Sequence, residues 1–247
     1  MPNWTNNFVE IIGSEERLKE IKETLYTGFK HSKGGYVFDF NKIIKMPEDL
    51  DVKNCSLSQG ALLSYCRKNH LDIPIPDNED EKSESYTFCS DISEMTKDEI
   101  ENSIKRYDEY MEENNKLDNS IGLPDNYGKL LYDNIINHGS PTWYAWRHDH
   151  WGTKWNACRG EVEKDITKRE DDNYSILYYF QTAWCPPIKI IVALAKKYPD
   201  VNIRADFDSW ESEFRGHILM VNGEEKEYMC EEYDPFEERA KEYSPEE

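Results

Sequence analysis

The sequence lacks any apolar run long enough to cross a membrane, and its start, MPNWTNNFVE, lacks the basic-then-apolar pattern of a secretory signal. Bases are also scarce: 30 lysines and arginines stand against 50 aspartates and glutamates, for a formal net charge of −20. Direct nucleic-acid binding needs a basic surface that attracts phosphates. We therefore expect a soluble, cytoplasmic protein that binds neither membranes nor nucleic acid directly.

Motifs for metals, redox chemistry and phosphate loops are missing as well. The six cysteines are never closer than Cys55 and Cys66, so no CxxC pair exists, and we expect reduced thiols. The stretch Gly152-Thr153-Lys154 lacks the GxxxxGK[ST] pattern and the preceding strand of a phosphate loop. The sequence predicts no metal and no cofactor.

The negative charge is concentrated in two segments. Residues 77–118 carry a net charge of −10 and residues 205–247 a net charge of −11, which leaves the rest nearly neutral. Charge runs are often simply solvated faces, but two acidic elements on a neutral frame also suit a basic partner. The predicted partner-binding acids are Glu99, Glu101, Asp108, Glu109, Glu112, Glu113, Glu231, Glu232, Glu237 and Glu238.

The hydrophobic content of 38% is sufficient for a packed core, and its periodicity predicts an α+β fold. A strand, a helix and a second strand-like stretch, YVFDFNKII, open the chain, and a helical region follows. From Tyr174 onward the pattern is strand, helix, strand and a hairpin with Asn222-Gly223 at its turn. This order predicts a ferredoxin-like antiparallel sheet with helices on one face. The expected boundaries are 1–45 and 161–247 for its two halves and 46–160 for a mainly helical insert.

Several helix ends can be predicted locally. Thr96 and Glu99 form a capping box, and Gly139 is placed to end a helix that Asp125 can cap. Ser140 with Pro141 is expected to start the next helix. Asp234 and Pro235 are expected to begin a short acidic helix at the end of the chain.

The segment WRHDHWGTKWNA, residues 146–157, holds three tryptophans, two histidines and a lysine. Because tryptophan buries a large apolar area, we expect the tryptophans from Trp143 to Trp155 to seal the insert against the sheet. The alternative is a binding site for a small anionic ligand such as a nucleotide. Its predicted residues are Trp143, Trp146, Arg147, Trp151, Lys154, Trp155 and Trp184.

Catalytic chemistry has weaker support. His148 and His150 are two residues apart in a segment expected to be helical, where such side chains point in nearly opposite directions. Asp206 and Asp208 share a strand face with Arg204, which favours ordinary solvent exposure over metal binding. No acylation or thiol-protease pattern surrounds Cys158 or Cys185. A metal-dependent hydrolase or nuclease remains the third hypothesis, and no catalytic residue is assigned.

Five segments in order, PNW, NFVEIIG, FDFNKIIKMPEDL, WGTKWNA and TAWCPP, resemble the YubB-type ferredoxin-like family of phages and plasmids. The resemblance implies a ferredoxin-like fold with a variable helical insert and an origin on mobile elements. It implies no reaction and no catalytic residues. Together with the acidity, it suggests a non-enzymatic accessory protein that binds, and inhibits, a basic host protein such as a nucleic-acid-binding defence factor.

Overall fold

The computed structural model describes residues 2–28, 36–74, 83–116 and 122–233. The chain divides into two compact units. The sheet unit comprises Met1–Lys45 and His150–Glu247, and the helical unit comprises Met46–Asp149. The helix expected from Asp234, with Glu237 and Glu238, lies outside the described residues.

The described residues form six strands and seven α-helices. The strands are β1 (Trp4–Gly13), β2 (Cys158–Lys168), β3 (Tyr174–Ala183), β4 (Asn202–Ser209), β5 (Phe214–Val221) and β6 (Glu224–Glu232). The α-helices are α1 (Glu15–Leu25), α2 (Ser58–Asn69), α3 (Glu84–Glu94), α4 (Lys97–Lys116), α5 (Tyr127–His138), α6 (Trp143–Trp151) and α7 (Ile188–Lys197). Among the described residues, no helix combines the length and the apolarity that a membrane crossing requires.

The six strands form one antiparallel sheet in the order β2-β3-β1-β4-β5-β6. The first four strands, with α1 after β1 and α7 after β3, have the order of a ferredoxin-like fold, and the hairpin β5-β6 extends the β4 side. The predicted α+β ferredoxin-like fold is confirmed. The predicted turn is confirmed too, since Asn222 and Gly223 have φ of 53° and 76°.

One face of the sheet is covered by helices and the other is open. Along β1, burial alternates, so that Val9 and Ile11 are fully buried whereas Phe8 between them is 37% exposed. Helices α1 and α7 cover this buried side. Helix α1 begins after its cap Ser14. Arg17 of α1 lies over the ring of Tyr198, which directly follows α7. The residues of β1 with even numbers therefore point to the open face.

The stretch YVFDFNKII is not a strand, which corrects the prediction. Its middle is a 3-10 helix, Phe40–Lys42, and the Asp39 carboxylate accepts the backbone N–H of Asn41 at 3.0 Å. Phe38 and Phe40 are fully buried and pack against Phe180 with ring centroids 4.8 and 5.8 Å away. The alternating aromatics therefore fill the core beneath β3. The second strand of the fold is β2, which begins within the range expected for the insert.

The helical unit has its own hydrophobic core, centred on α2. Gly60 allows α4 to approach closely, because a Cβ there would lie 2.3 Å from the carbonyl oxygen of Ser103. Gly128 allows α5 to approach α2 in the same way, because a Cβ at Gly128 would lie 2.2 Å from the carbonyl oxygen of Ala61. Helix α3 was not predicted. Large side chains from four helices complete this core: Leu62, Cys89, Ile92, Ile104, Tyr107, Tyr127, Leu131 and Ile135.

Helix ends in this unit were predicted in part. The capping box is confirmed, since the Glu99 carboxylate accepts the backbone N–H of Thr96 at 2.8 Å. Gly139 ends α5 with φ of 69°, as expected. The predicted caps at Asp125 and Ser140 are wrong: Asn126 is the residue before α5, and α6 begins at Trp143. The hydroxyl of Ser140 instead lies 2.6 Å from that of Ser85.

Candidate functional site

Most of the predicted acids on α4 are engaged inside the helical unit. Glu101 receives two hydrogen bonds from Arg67, at 2.8 and 2.9 Å, and Asp108 pairs with Lys68 at 3.1 Å. Glu99 belongs to the capping box, and Glu109 lies 3.7 Å from Lys105. These contacts hold α4 against α2 or stabilise α4 itself. Glu112 and Glu113 have no ion pair within the described part of the chain.

Strand β6 forms an edge of the sheet, and eight of its nine residues are exposed. On the open face, Glu231 pairs with Arg215 at 2.7 Å and Glu227 lies 3.0 Å from His217. Glu225 and Glu232 have no ion pair among the residues that the structure describes. An edge strand presents unpaired backbone N–H and C=O groups to an incoming strand. As far as the described residues go, the edge of β6 therefore combines a hydrogen-bonding template with carboxylates that lie outside any ion pair.

The residues expected to form a tryptophan-lined ligand site are not all available to a ligand. Trp151 has no exposed surface, its indole N–H donates to the carbonyl of Ile44 at 3.0 Å, and its ring packs against Phe40. Trp146 is only 5% exposed. Because both side chains are buried, they offer little surface to a ligand. That the tryptophans seal the insert against the sheet stays a prediction.

The remaining predicted residues belong to two different units of the chain. In the helical unit, the Arg147 guanidinium lies 5.0 Å from the ring centroid of Trp143. In the sheet unit, the Lys154 ammonium lies 5.3 Å from the ring centroid of Trp155, and Trp184 is 43% exposed. The arrangement that could bind a ligand is built around Trp155 in the sheet unit.

A row of polar side chains crosses the open face beside Trp155. The register places Asn6 of β1 opposite both Gln181 of β3 and Asp208 of β4. The Gln181 amide donates to the Asn6 carbonyl oxygen at 3.0 Å, and the Asn6 amide donates to Asp208 at 3.0 Å. Arg159 of β2 donates to the Gln181 carbonyl oxygen at 2.9 Å. Each hydrogen bond fixes the orientation of the next side chain.

Aromatic rings flank this row. Trp4 packs against Trp155 with ring centroids 5.9 Å apart, and the Arg159 guanidinium lies 5.0 Å from the Trp4 ring. A groove of about 360 Å³ opens here, lined by Trp4, Asn6, Gln181, Trp210 and Glu211. We call the row, its rings and the flanking Lys154 the sheet-face cluster: Trp4, Asn6, Lys154, Trp155, Arg159, Gln181, Asp208, Trp210 and Glu211.

The described residues proposed for catalysis are not arranged as a catalytic site. Asp206 is held by Arg204 of its own strand, with the closest atoms 2.7 Å apart, and Asp208 accepts from Asn6. Desolvation raises the pKa of the Cys158 thiol and that of the Cys185 thiol, which disfavours the nucleophilic thiolate. His148 packs against Tyr144 on α6. Within the described ranges, no group of three or more histidine, cysteine or acidic side chains could hold a metal ion.

The strand order defines a ferredoxin-like α+β domain, and a comparison with family models agrees. Residues 163–245 match the family model described as the ferredoxin-like domain in Api92-like protein. No curated protein matches the chain. Among solved structures, the chain is similar to the crystal structure of the protein api92 from Yersinia pseudotuberculosis, at 12% identity and a TM-score of 0.39. That alignment covers 94% of this chain and 98% of the other.

Proposed function

We propose that this chain is a non-enzymatic accessory protein of a phage or plasmid that binds, and inhibits, a basic host protein in the cytoplasm. The acidic edge of β6 makes the principal contact, and a lysine- or arginine-rich extended segment of the partner adds to it as a further strand. The observation that carries this proposal is that β6 is an edge of the sheet in the described part of the chain, where Glu225 and Glu232 are exposed and form no ion pair.

The charge of β6 favours a partner over a second copy of the same chain. Edge strands of two identical acidic chains would bring like charges together, which disfavours self-association. A basic strand would be attracted instead, because its lysine or arginine side chains would lie beside carboxylates while its backbone pairs with β6. The mobile-element origin is supported by the resemblance of the five sequence segments to the YubB-type family.

A pair of synthetic peptides tests the strand-addition mode directly. One is an extended peptide of about ten residues that alternates lysine with threonine, a length suited to a strand. The other replaces each threonine by proline, which keeps the charge but removes half of the backbone N–H donors. We expect the first peptide to bind more tightly by fluorescence anisotropy, with an affinity that falls as salt is raised.

Matched variants locate the contact. E225Q/E232Q removes two charges from β6 and should weaken the lysine–threonine peptide about 3- to 10-fold, the effect of losing two exposed charge pairs. E112Q/E113Q removes the same charge from α4, which offers no strand edge, and should leave the affinity nearly unchanged. Equal binding of both peptides, or equal effects of the two double variants, would refute strand addition at β6.

A further inference from the structure

The sheet-face cluster is a second site, independent of the β6 edge, and its composition changes systematically across the sheet. On the β2 side lie the cations Arg159 and Lys154, flanking the paired rings of Trp4 and Trp155. The amides of Gln181 and Asn6 occupy the central strands. On the β4 side lie the carboxylates of Asp208 and Glu211. Arg159 and Asp208 stand on strands three spacings apart, about 14 Å.

We propose that the sheet-face cluster binds a mononucleotide whose base carries N–H donors. The base packs against the exposed ring of Trp210 and the neighbouring Trp4. The carboxylate of Glu211 and the amides of Asn6 and Gln181 contact the polar edge of the base. The phosphate lies beyond the groove wall formed by Trp4 and Gln181, toward Arg159, which contacts both of these residues, and Lys154.

The aromatic part of the proposal rests on exposure and position. Trp210 is 42% exposed and lines the groove together with Trp4. A sheet that displays aromatic rings on its open face can stack bases, because every base has a flat π-face. The groove volume of about 360 Å³ falls in the range of sites for small ligands.

The polar part rests on hydrogen bonds that are already arranged. Asn6 accepts from both Tyr179 and Gln181 at 3.0 Å, so its amide plane is held before any ligand arrives. The backbone N–H of Trp4 donates to one Glu211 carboxylate oxygen at 2.9 Å, which holds the carboxylate beside the groove. A carboxylate accepts from base N–H groups, whereas it would repel a phosphate. The β4 side and the β2 side of the cluster therefore distinguish the base of a nucleotide from its phosphate.

The same chemistry argues against a nucleic-acid strand as the occupant. A strand would carry a phosphate at each nucleotide and would have to pass Asp208, Glu211 and the acidic strands beyond them. With a net charge of −20, the chain repels a polyanion more strongly than a single phosphate group. One nucleotide places its phosphate at the one end where two cations lie.

Isothermal titration calorimetry and tryptophan fluorescence on the full chain test the proposal. The probes are the monophosphates of guanosine, adenosine, cytidine and uridine, together with guanosine, inorganic phosphate, glucose and a short single-stranded oligonucleotide. We expect binding of at least one purine monophosphate, with weaker binding of guanosine and little binding of phosphate alone. Binding of glucose without any nucleotide, or a flat response to all nucleotides, overturns the proposal.

Variants on the surface of the sheet unit separate ligand contact from folding. W210A should weaken the nucleotide at least about 5-fold, the effect of losing one stacking ring, and W210F should restore part of the affinity. R159A should reduce the preference for the nucleotide over its nucleoside. Y26A removes an exposed ring after α1 that does not line the groove, and it should leave the affinity unchanged. If Y26A and W210A weaken binding equally, the groove is not the site.

Discussion

At the scale of single residues, Trp151 shows how a tryptophan-rich segment can be structural. Its ring is fully buried among Phe40 and its neighbours, and its indole N–H is satisfied by the carbonyl of Ile44. A buried indole that finds a backbone acceptor contributes both apolar area and a hydrogen bond. Trp155, four residues later, faces Trp4 in the sheet-face cluster. The two tryptophans of one short segment thus have different roles.

Replacing Trp151 by phenylalanine tests this assignment. W151F removes the N–H donor and leaves the half-buried carbonyl of Ile44 without that partner, at a cost of about 1 kcal/mol. We expect a lower midpoint in urea-induced unfolding, followed by near-UV circular dichroism. The matched change W184F alters an exposed ring and should stay within about 0.5 kcal/mol of the wild type. Equal stability of W151F and the wild type would contradict a core role.

At the scale of elements, the start of α4 depends on a reciprocal cap. The hydroxyl and the backbone N–H of Thr96 both donate to Glu99, at 2.7 and 2.8 Å. The hydrogen bond from the Thr96 side chain is the main cause that lowers the pKa of Glu99 below its ordinary value of 4.5. A carboxyl group whose folded pKa is lowered stabilises the fold above its unfolded pKa and ceases to do so as the pH falls through the folded pKa.

The pH dependence follows from that sign. E99Q should be less stable than the wild type at pH 7, and the difference should vanish at a pH below the folded pKa of Glu99, where the wild-type side chain is also neutral. T96A should lose about 1 kcal/mol at pH 7 through the missing cap. Urea unfolding at a series of pH values from 7 downward measures both, with E113Q as an exposed control. A gap between E99Q and the wild type that stays the same throughout the series would argue against the box.

Local signals in the sequence predicted the elements that depend on neighbouring residues. The capping box, the glycine at the end of α5 and the Asn222-Gly223 turn each require a few adjacent side chains. Strand β2 was missed because its pairing with β3 shifts register three times and most of its residues are exposed. The spacing of Phe38 and Phe40 predicts a strand, because buried residues alternate along a strand. The same spacing also occurs in a core loop, and that is the structure found here.

The sheet-face cluster could not be predicted for a related reason. Asn6 and Gln181 are 175 residues apart and meet only through the register of β1 against β3. The available signal was indirect: Trp4 and Trp155 lie in PNW and WGTKWNA, two of the segments that carry the family resemblance. Their contact became visible only once the sheet was in place. The acids of α4 were recognised, but their basic partners on α2 were not.

At the scale of the whole molecule, the helical unit has a hydrophobic core of its own. The described residues of this core, around Leu62, Tyr127 and Leu131, all lie between Met46 and Asp149. We expect a fragment of residues 46–149 to fold alone, with a helical far-UV spectrum and a cooperative urea transition, because a compact unit with its own core can fold as a domain. In that fragment G128A should abolish or weaken the transition, since a Cβ at Gly128 would overlap the backbone of α2. A non-cooperative fragment would show that the insert depends on the rest of the chain.

The position of β1 also determines when the molecule can be completed during synthesis. This strand lies between β3 and β4, so both of its neighbours emerge from the ribosome more than 150 residues after it. The apolar residues of β1 have no sheet partner through that interval. Residues 46–149, in contrast, form a compact unit that is synthesised before β3. Nascent chains halted before Tyr174 should therefore expose the apolar residues of β1, which holdase chaperones bind. Release from the chaperone should coincide with translation of β3 and β4.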